Sequence, residues 1–381
     1  MNYNNEQLQI IHSDSPHILV LASAGSGKTA TLIGRINYLL QELNVQCQQI
    51  LCLTFTHRAA HEVMRRLKKD IWVSTFHKFA LAHINIQDFN LLGENNIFTK
   101  AEMKNISLYK NHYSSRKPLV YEQYQKFLLD HHCWDFDDLL VILQQKLVNK
   151  ELIFDYHYIF IDEFQDTNNL QYECLKLLAQ NSKVFAVGDP DQAIYAFRGA
   201  NRRIINFFKN DFNPQQYLLI NNYRSSKEII DFCNNLIQRN IFRTPKNLIS
   251  TKPKSGLVEI IKVFDQQALV NFIIDTLRNE YPQDWALLYR VNKSSFFLRE
   301  KLADFYTLNN YLLLSIHQAK GLEFDNVMII DCNDAMTPGI VENIMELEEE
   351  RRILFVGCSR ARAKLILLYQ QQIGPLSRFL R

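Results

Sequence analysis

The chain has 381 residues, long enough for two or three domains that each bury a core. Hydrophobic residues make up 47% and charged residues 22%, which excludes a disordered chain, and no apolar run approaches bilayer-spanning length. A net charge of +3 is compatible with nucleic acid but too mild to argue for it, and the polar start Met1-Asn2-Tyr3-Asn4 has no signal-peptide pattern, so a cytoplasmic protein with no membrane partner is expected.

In chain order, the apolar stretch 18–21 predicts a buried strand. It runs into Ala22-Ser23-Ala24-Gly25-Ser26-Gly27-Lys28-Thr29, after which Leu32, Ile36, Leu39, Leu40 and Leu43 recur at helical spacing. Strand, glycine-bearing loop, Lys-Thr and helix together form the context of a phosphate-binding loop. Gly25 and Gly27, with Ala24 and Ser26 between and beside them, let backbone N–H groups turn inward as an anion nest at a helix N-terminus. Lys28 is placed to reach the β- and γ-phosphates of ATP, and the Thr29 hydroxyl to ligate Mg²⁺. The first position holds Ala22 in place of the motif's glycine, a small residue that such a loop accepts.

A second strand is expected at 50–55, followed by a helix start at 56–63, and a third at 71–73 before Ser74-Thr75-Phe76-His77. His57 and His61 sit four apart, as zinc ligands can, but no third ligand accompanies them and no zinc site is expected. Residues 84–131 are rich in Asn and Lys and read as a small inserted helical subdomain; Trp134-Asp135-Phe136-Asp137-Asp138 then opens an amphipathic helix. The strand at 158–161 ends in Asp162-Glu163, adjacent carboxylates at a strand's C-terminal end, as a phosphohydrolase requires. Asp162 suits a Mg²⁺ site and Glu163 the orientation and deprotonation of an attacking water. The next strand, 183–187, ends in Gly188-Asp189-Pro190-Asp191-Gln192, and the Gln192 amide can bond both a γ-phosphate and that water. Further strands are expected at 217–220, 258–264, 285–289, 311–316, 327–331 and 364–369, with helices between, predicting a second doubly wound domain without a phosphate loop. The seven cysteines are scattered with no Cys-x-x-Cys pair and read as reduced thiols.

Several stretches together resemble the ordered motifs of the UvrD/Rep/PcrA helicases of superfamily 1. They are Leu53-Thr54-Phe55-Thr56, Ser74-Thr75-Phe76-His77, Ile161-Asp162-Glu163-Phe164-Gln165-Asp166-Thr167-Asn168 and Val187-Gly188-Asp189-Pro190-Asp191-Gln192-Ala193-Ile194-Tyr195. Asn222-Tyr223-Arg224-Ser225, Ser315-Ile316-His317-Gln318-Ala319-Lys320-Gly321-Leu322-Glu323-Phe324 and the stretch 348–361 follow in the family's order. The resemblance implies two RecA-like α/β motor domains built on doubly wound parallel sheets, with ATP at their interface: residues 1–83 and 132–214 form the first, 84–131 its insertion, and 215–381 the second. It implies that Gln7 reads adenine, that Arg35 and Tyr223 sandwich the ring, that Glu323 contacts the ribose, and that Arg224 and Arg360 reach the γ-phosphate. It places Phe55, His77, Tyr195, Phe197 and His317 along a groove for single-stranded nucleic acid, although Tyr195 and Phe197 also alternate as residues of a strand face do. The run Glu348-Glu349-Glu350-Arg351-Arg352 reads as a charged helix face with Glu348 and Arg352 at pairing distance.

The activity implied is ATP-dependent translocation on single-stranded DNA and 3′–5′ unwinding of tailed duplexes, in repair or replication. A nucleotide-switched clamp or assembly protein is the alternative, and RNA a weaker choice of track. Only two dozen residues separate Arg290 from Ser315, too few for the family's largest accessory domain. That predicts intact ATPase chemistry with duplex opening that depends on self-association or a protein partner.

Overall fold

The apolar runs of the first half are buried on both faces, as strands of a parallel sheet must be. The structure is a computed structural model describing residues 2–84, 90–92, 97–112, 114–252, 256–280, 284–303 and 312–381. Its strands begin with β1 (His17–Ala22), β2 (Ile50–Thr54), β3 (Trp72–Thr75), β4 (Asn90–Leu91) and β5 (Cys133–Trp134). They continue with β6 (Tyr158–Ile161), β7 (Lys183–Gly188) and β8 (Gln215–Leu219). One parallel sheet runs β3-β2-β6-β7-β1-β8, while β4 and β5 pair separately. Alternation sorts the sheet's side chains. Ile18, Val20 and Phe160 pack with the helices Lys28–Gln41 and His57–Leu67, whereas Leu19, Leu21 and Ile159 pack with Phe136–Val148 and Asn169–Leu178.

The chain separates into two compact units. The first comprises Met1–Ala22, Gly27–Asp189 and Tyr195–Leu219, and the second Ser23–Ser26, Pro190–Ile194 and Ile220–Arg381. This corrects one expectation. The strand predicted at 217–220 and placed at the head of the second domain is β8, and it pairs in parallel with β1, Tyr217 opposite Val20. A short strand reads alike in either sheet, and only its partner decides where it belongs.

Within the first unit, the helices Lys100–Lys110 and Tyr121–Asp130 share a small core of Ile106, Tyr124 and Leu128. The Lys110 ammonium is buried between Asp135 and Asp138 at 2.8 and 2.5 Å, and the Tyr124 hydroxyl donates to Asp135 at 2.8 Å. Asp135 also caps the helix Phe136–Val148, so the insertion is keyed to that helix's first turn. Parts of the expected insertion (85–89, 93–96 and 113), and Tyr311 of an expected strand, lie outside the described residues.

In the second unit β9 (Asn221–Asn222) pairs with β10 (Ile249–Ser250). Five further strands, β11 (Leu257–Val263), β12 (Trp285–Tyr289), β13 (Leu312–Ser315), β14 (Phe324–Ile329) and β15 (Ala361–Gln370), form a parallel sheet ordered β11-β15-β14-β12-β13. The helices Gln266–Asn279 and Asn292–Lys301 cover the Leu287 and Met328 side. Helix Ile344–Cys358 comes so close to the sheet that a Cβ on Gly357 would lie 3.0 Å from Ile329 Cδ1. Among the described residues both units are therefore α/β with parallel sheets, the architecture expected of two RecA-like domains.

A second correction concerns that helix. Its Glu348 and Arg352 do pair, at 3.7 Å, but they are 0% and 2% exposed and form no solvated face. The Glu348 carboxylate accepts from the backbone N–H groups of Ile241 and Phe242 at 2.5 and 3.0 Å, partners that helical periodicity does not reveal. All seven cysteines are free thiols, and burial pushes Cys52, Cys174, Cys233, Cys332 and Cys358 above the ordinary thiol value. Among the described residues no helix is long and apolar enough to cross a membrane.

Candidate active site and nucleic-acid interface

Sheet register brings the ends of three strands level in the first unit, Leu21 opposite Gly188 and Ile161 opposite Ala186. The chain turns out of the sheet there, as ligand-binding edges of such folds do. Gly27, at φ +83°, precedes helix Lys28–Gln41, and a Cβ on it would lie 2.6 Å from Gln7 Nε2. Gln7 thus lies directly against the loop, steadied by a capping box with Asn4. Lys28 Nζ donates to both Glu163 carboxylate oxygens, at 3.0 and 2.9 Å, and Thr29 Oγ1 lies 3.5 Å from Asp162 Oδ2. Burial disfavours the Lys28 charge, but Glu163, Asp189 and Asp162 outweigh it and hold the ammonium above its ordinary value. Burial, and after it the Glu163 charge, pushes Asp162 up to about 6. A buried carboxylate and a hydroxyl are hard oxygen donors, so Thr29 and Asp162 fit a Mg²⁺ ion, whose charge would relieve that penalty. Glu163 has a left-handed backbone, φ +52°, a conformation worth about 1–3 kcal/mol of strain that functional sites often hold.

Arg35 is buried, donates to the Ile11 carbonyl at 2.6 Å and lies 5.5 Å from the Tyr38 ring. Its proposed adenine partner Tyr223 belongs to the second unit and is 43% exposed.

Within the second unit, Asn222 Nδ2 donates to the Ala24 carbonyl at 2.7 Å and the Tyr223 N–H to the Gly25 carbonyl at 3.0 Å. Gly25, at φ +66°, leaves no room for a side chain: a Cβ would meet Asn222 Nδ2 at 2.6 Å. Arg224 donates from Nε to Glu323 at 2.6 Å and from Nη1 to the Ser359 carbonyl at 3.2 Å. Burial tends to raise the Glu323 carboxyl, but Arg362 and Arg224 together hold it down at about 2. Arg360 is 2% exposed; its Nη2 donates to Gln192 Oε1 at 2.9 Å and its Nε to the Val356 carbonyl at 2.9 Å. Lys320 Nζ donates to the Gln192 carbonyl at 2.6 Å. Beside Gln192, the buried Asp191 takes a two-pronged contact from Arg243 at 3.2 and 2.8 Å, with Lys246 Nζ at 3.5 Å.

The aromatic candidates of the first unit also converge. Thr54 and Thr75 are level in the sheet, so Phe55 and His77 emerge side by side just after β2 and β3. Phe55 and Tyr195 have ring centroids 4.9 Å apart, and Tyr195 and Phe197 6.0 Å. They line one cleft of about 690 Å³ together with His77. Burial, and next the His57 charge, lowers His77 to about 4, leaving a neutral ring at neutral pH. The strand alternation of Tyr195 and Phe197 is not realised: Tyr195 caps the 3₁₀ turn Ala196–Arg198 and Phe197 lies within it, 47% exposed. His317 lies in the second unit, in the short helix Ile316–Ala319.

Sequence reasoning did not place Phe136, Arg198 or Lys104 in this cleft. Phe136 is 57% exposed with its ring 6.0 Å from His77, Arg198 lies 5.6 Å from both the Tyr195 and Phe197 rings, and Lys104 comes from the insertion. The available signal was Phe136 itself, a large apolar residue in the first turn of a capped helix, where solvent is normally met.

The family model for the UvrD/REP helicase N-terminal domain matches residues 3–118 and 92–213, and that for the UvrD-like helicase C-terminal domain matches 217–307 and 305–372. The chain is 32% identical over 361 residues to the ATP-dependent DNA helicase PcrA of Leuconostoc citreum, covering 78% of this chain and 48% of that protein. It is 33% identical over 363 residues to the ATP-dependent DNA helicase Rep of Buchnera aphidicola, covering 79% and 56% respectively. A probable DNA helicase of Mycoplasma pneumoniae is 30% identical over 446 residues, 96% of this chain and 83% of that protein. The chain thus spans about half the length of the PcrA and Rep relatives and most of the Mycoplasma one.

Proposed function

This chain belongs to the UvrD-like family of DNA helicases, and on that premise we propose that it is an ATP-driven motor that moves 3′ to 5′ on single-stranded DNA. The observation that carries this reading is the convergence of Lys28, Thr29, Asp162 and Glu163 at one sheet edge. Lys28 binds the β- and γ-phosphates, and the loop N–H groups from Ala24 to Thr29 cradle them. Thr29 and Asp162 hold Mg²⁺, which when bound neutralises phosphate charge. Glu163 takes a proton from the attacking water; to do so it must exchange its Lys28 contact for that water. Gln192 orients the water, and Arg224 and Arg360 supply permanently charged donors for the transferring phosphoryl group. Gln7, Arg35 and Tyr223 recognise adenine, and Glu323 the ribose.

The DNA track uses the faces of Phe55, His77, Tyr195 and Phe197, with His317 contributed by the second unit. Stacked bases are worth about 1–3 kcal/mol each and tolerate any sequence. The motor domains are taken as residues 1–83 with 132–219, and 220–381, with 84–131 as the insertion. With no room for a large accessory domain between Arg290 and Ser315, the isolated chain opens duplexes poorly and gains from added copies or a partner.

Strand displacement on duplexes with a 3′ or a 5′ single-stranded tail tests the reading. Displacement that requires Mg²⁺, ATP and the 3′ tail is expected. Tight nucleotide-dependent DNA binding with no hydrolysis would support the clamp instead.

A further inference from the structure

Gln165 is not among the residues assigned a chemical role above, yet it is 2% exposed and joins two of the strand ends that form the site. It lies in the 3₁₀ turn Phe164–Asp166, directly after Glu163. Its amide nitrogen donates to Glu163 Oε2 at 2.6 Å and to Asp166 Oδ2 at 3.2 Å, and its amide oxygen accepts from the Asp189 N–H at 2.8 Å. The orientation of the amide is fixed by chemistry, because only nitrogen can donate to carboxylates and only oxygen can accept from an N–H. The contact with the end of β7 requires a glycine there. A Cβ on Gly188 would lie 2.5 Å from Gln165 Oε1 and 3.1 Å from the Gln165 backbone nitrogen.

Lys28 and Gln165 both anchor the Glu163 carboxylate. They differ in what ATP does to them. Lys28 is the residue the phosphates attract, so its hold on Glu163 weakens when nucleotide arrives. Gln165 carries no charge for the phosphates to attract and is tied to the backbone of Asp189. A glutamate carboxylate rides on a flexible stem, and a base displaced by an ångström loses much of its effect.

We propose that Gln165 is a positioning residue for hydrolysis: its amide holds the Glu163 carboxylate in line once Lys28 has moved to the phosphates, using the end of β7 as its anchor. The inference rests on Glu163 being the base. It goes further in separating binding from chemistry, because Gln165 acts on the base and not on the nucleotide.

Two variants divide the bridge. Gln165→Glu keeps an oxygen for the Asp189 N–H but cannot donate to Glu163, whereas Gln165→Met loses both contacts. Steady-state ATP hydrolysis by the full chain, at saturating single-stranded DNA, is measured together with binding of a non-hydrolysable ATP analogue. Each variant is expected to lower kcat by about 10²-fold, the cost of an ångström-scale misplacement. The KM for ATP and analogue affinity should stay within about threefold, roughly 0.65 kcal/mol at 1.4 kcal/mol per tenfold. Gln165→Glu, the same size as the parent residue, keeps the test valid if Gln165→Met does not fold. A kcat within threefold of the parent in Gln165→Glu overturns the proposal, and so does a loss confined to KM and analogue binding. Glu163→Gln distinguishes the two levels. If it hydrolyses ATP at the parent rate, the base assignment fails; if it is inactive while Gln165→Glu is not, only the positioning role fails.

Discussion

Asp191→Asn should destabilise the second unit more than any surface substitution. The Asp191 side chain is 1% exposed and faces Arg243 and Lys246, themselves 8% and 1% exposed. Burial works to raise its pKa, but Lys246, Arg243 and Arg352 outweigh it and hold the carboxyl below its ordinary value. The sign follows. A depressed carboxyl contributes stability above its unfolded pKa and loses it as pH falls through the folded value. Replacing the carboxylate with an amide removes the negative charge that Arg243 and Lys246 both contact, and breaking a buried pair in this way costs about 3–5 kcal/mol. For a domain of this size each kcal/mol moves the melting temperature by about 2–4 °C, so the transition should fall by roughly 6–20 °C. Lys246→Met leaves the two-pronged Arg243 contact and should cost less. Differential scanning calorimetry of the parent and the variant reads the shift. An Asp191→Asn transition within about 2 °C of the parent would show that the buried cations do not depend on this carboxylate, and the reasoning would fail.

Arg224→Ala and Arg360→Ala should each lower turnover by on the order of 10³-fold, with a smaller loss of ATP affinity, since such arginines act mainly in the transition state. Stopped-flow nucleotide binding beside phosphate release checks this, and lost binding with normal turnover of bound ATP would contradict it. Tyr195→Ala and Phe197→Ala should weaken single-strand binding by about 1–3 kcal/mol each and uncouple ATPase from movement while leaving the melt unchanged. Equilibrium binding across a salt series with parallel thermal melts tests them, and unfolding of both variants would mean that the rings serve the core.

The phosphate loop and the Asp162-Glu163 pair were legible because their chemistry is local: contiguous residues on a strand-to-helix turn. Gln165 was visible as part of a motif, but its role depends on Gly188 and Asp189, which only sheet register brings alongside. The place of β8 was hidden for a related reason, since pairing with β1 leaves no mark on the residues 215–219 themselves. Tyr195 and Phe197 are two apart, as residues of a strand face are, but the 3₁₀ turn Ala196–Arg198 that Tyr195 caps and Phe197 belongs to is set by its close on Gly199, at φ +83°. Glu348 and Arg352 showed their pairing in their spacing. Their burial depends on partners near residue 241, about a hundred positions away, and no helical period encodes that.

The central claim is that single-stranded DNA drives ATP hydrolysis at Glu163. It is tested most directly by measuring phosphate release from Mg²⁺-ATP by the parent chain and by Glu163→Gln, with and without oligodeoxythymidine. Strong stimulation of the parent by DNA is expected, with a loss of about 10²–10⁴-fold in Glu163→Gln and ATP binding retained, the range for removal of a general base. Hydrolysis by Glu163→Gln at the parent rate, or a parent rate indifferent to DNA, would contradict it.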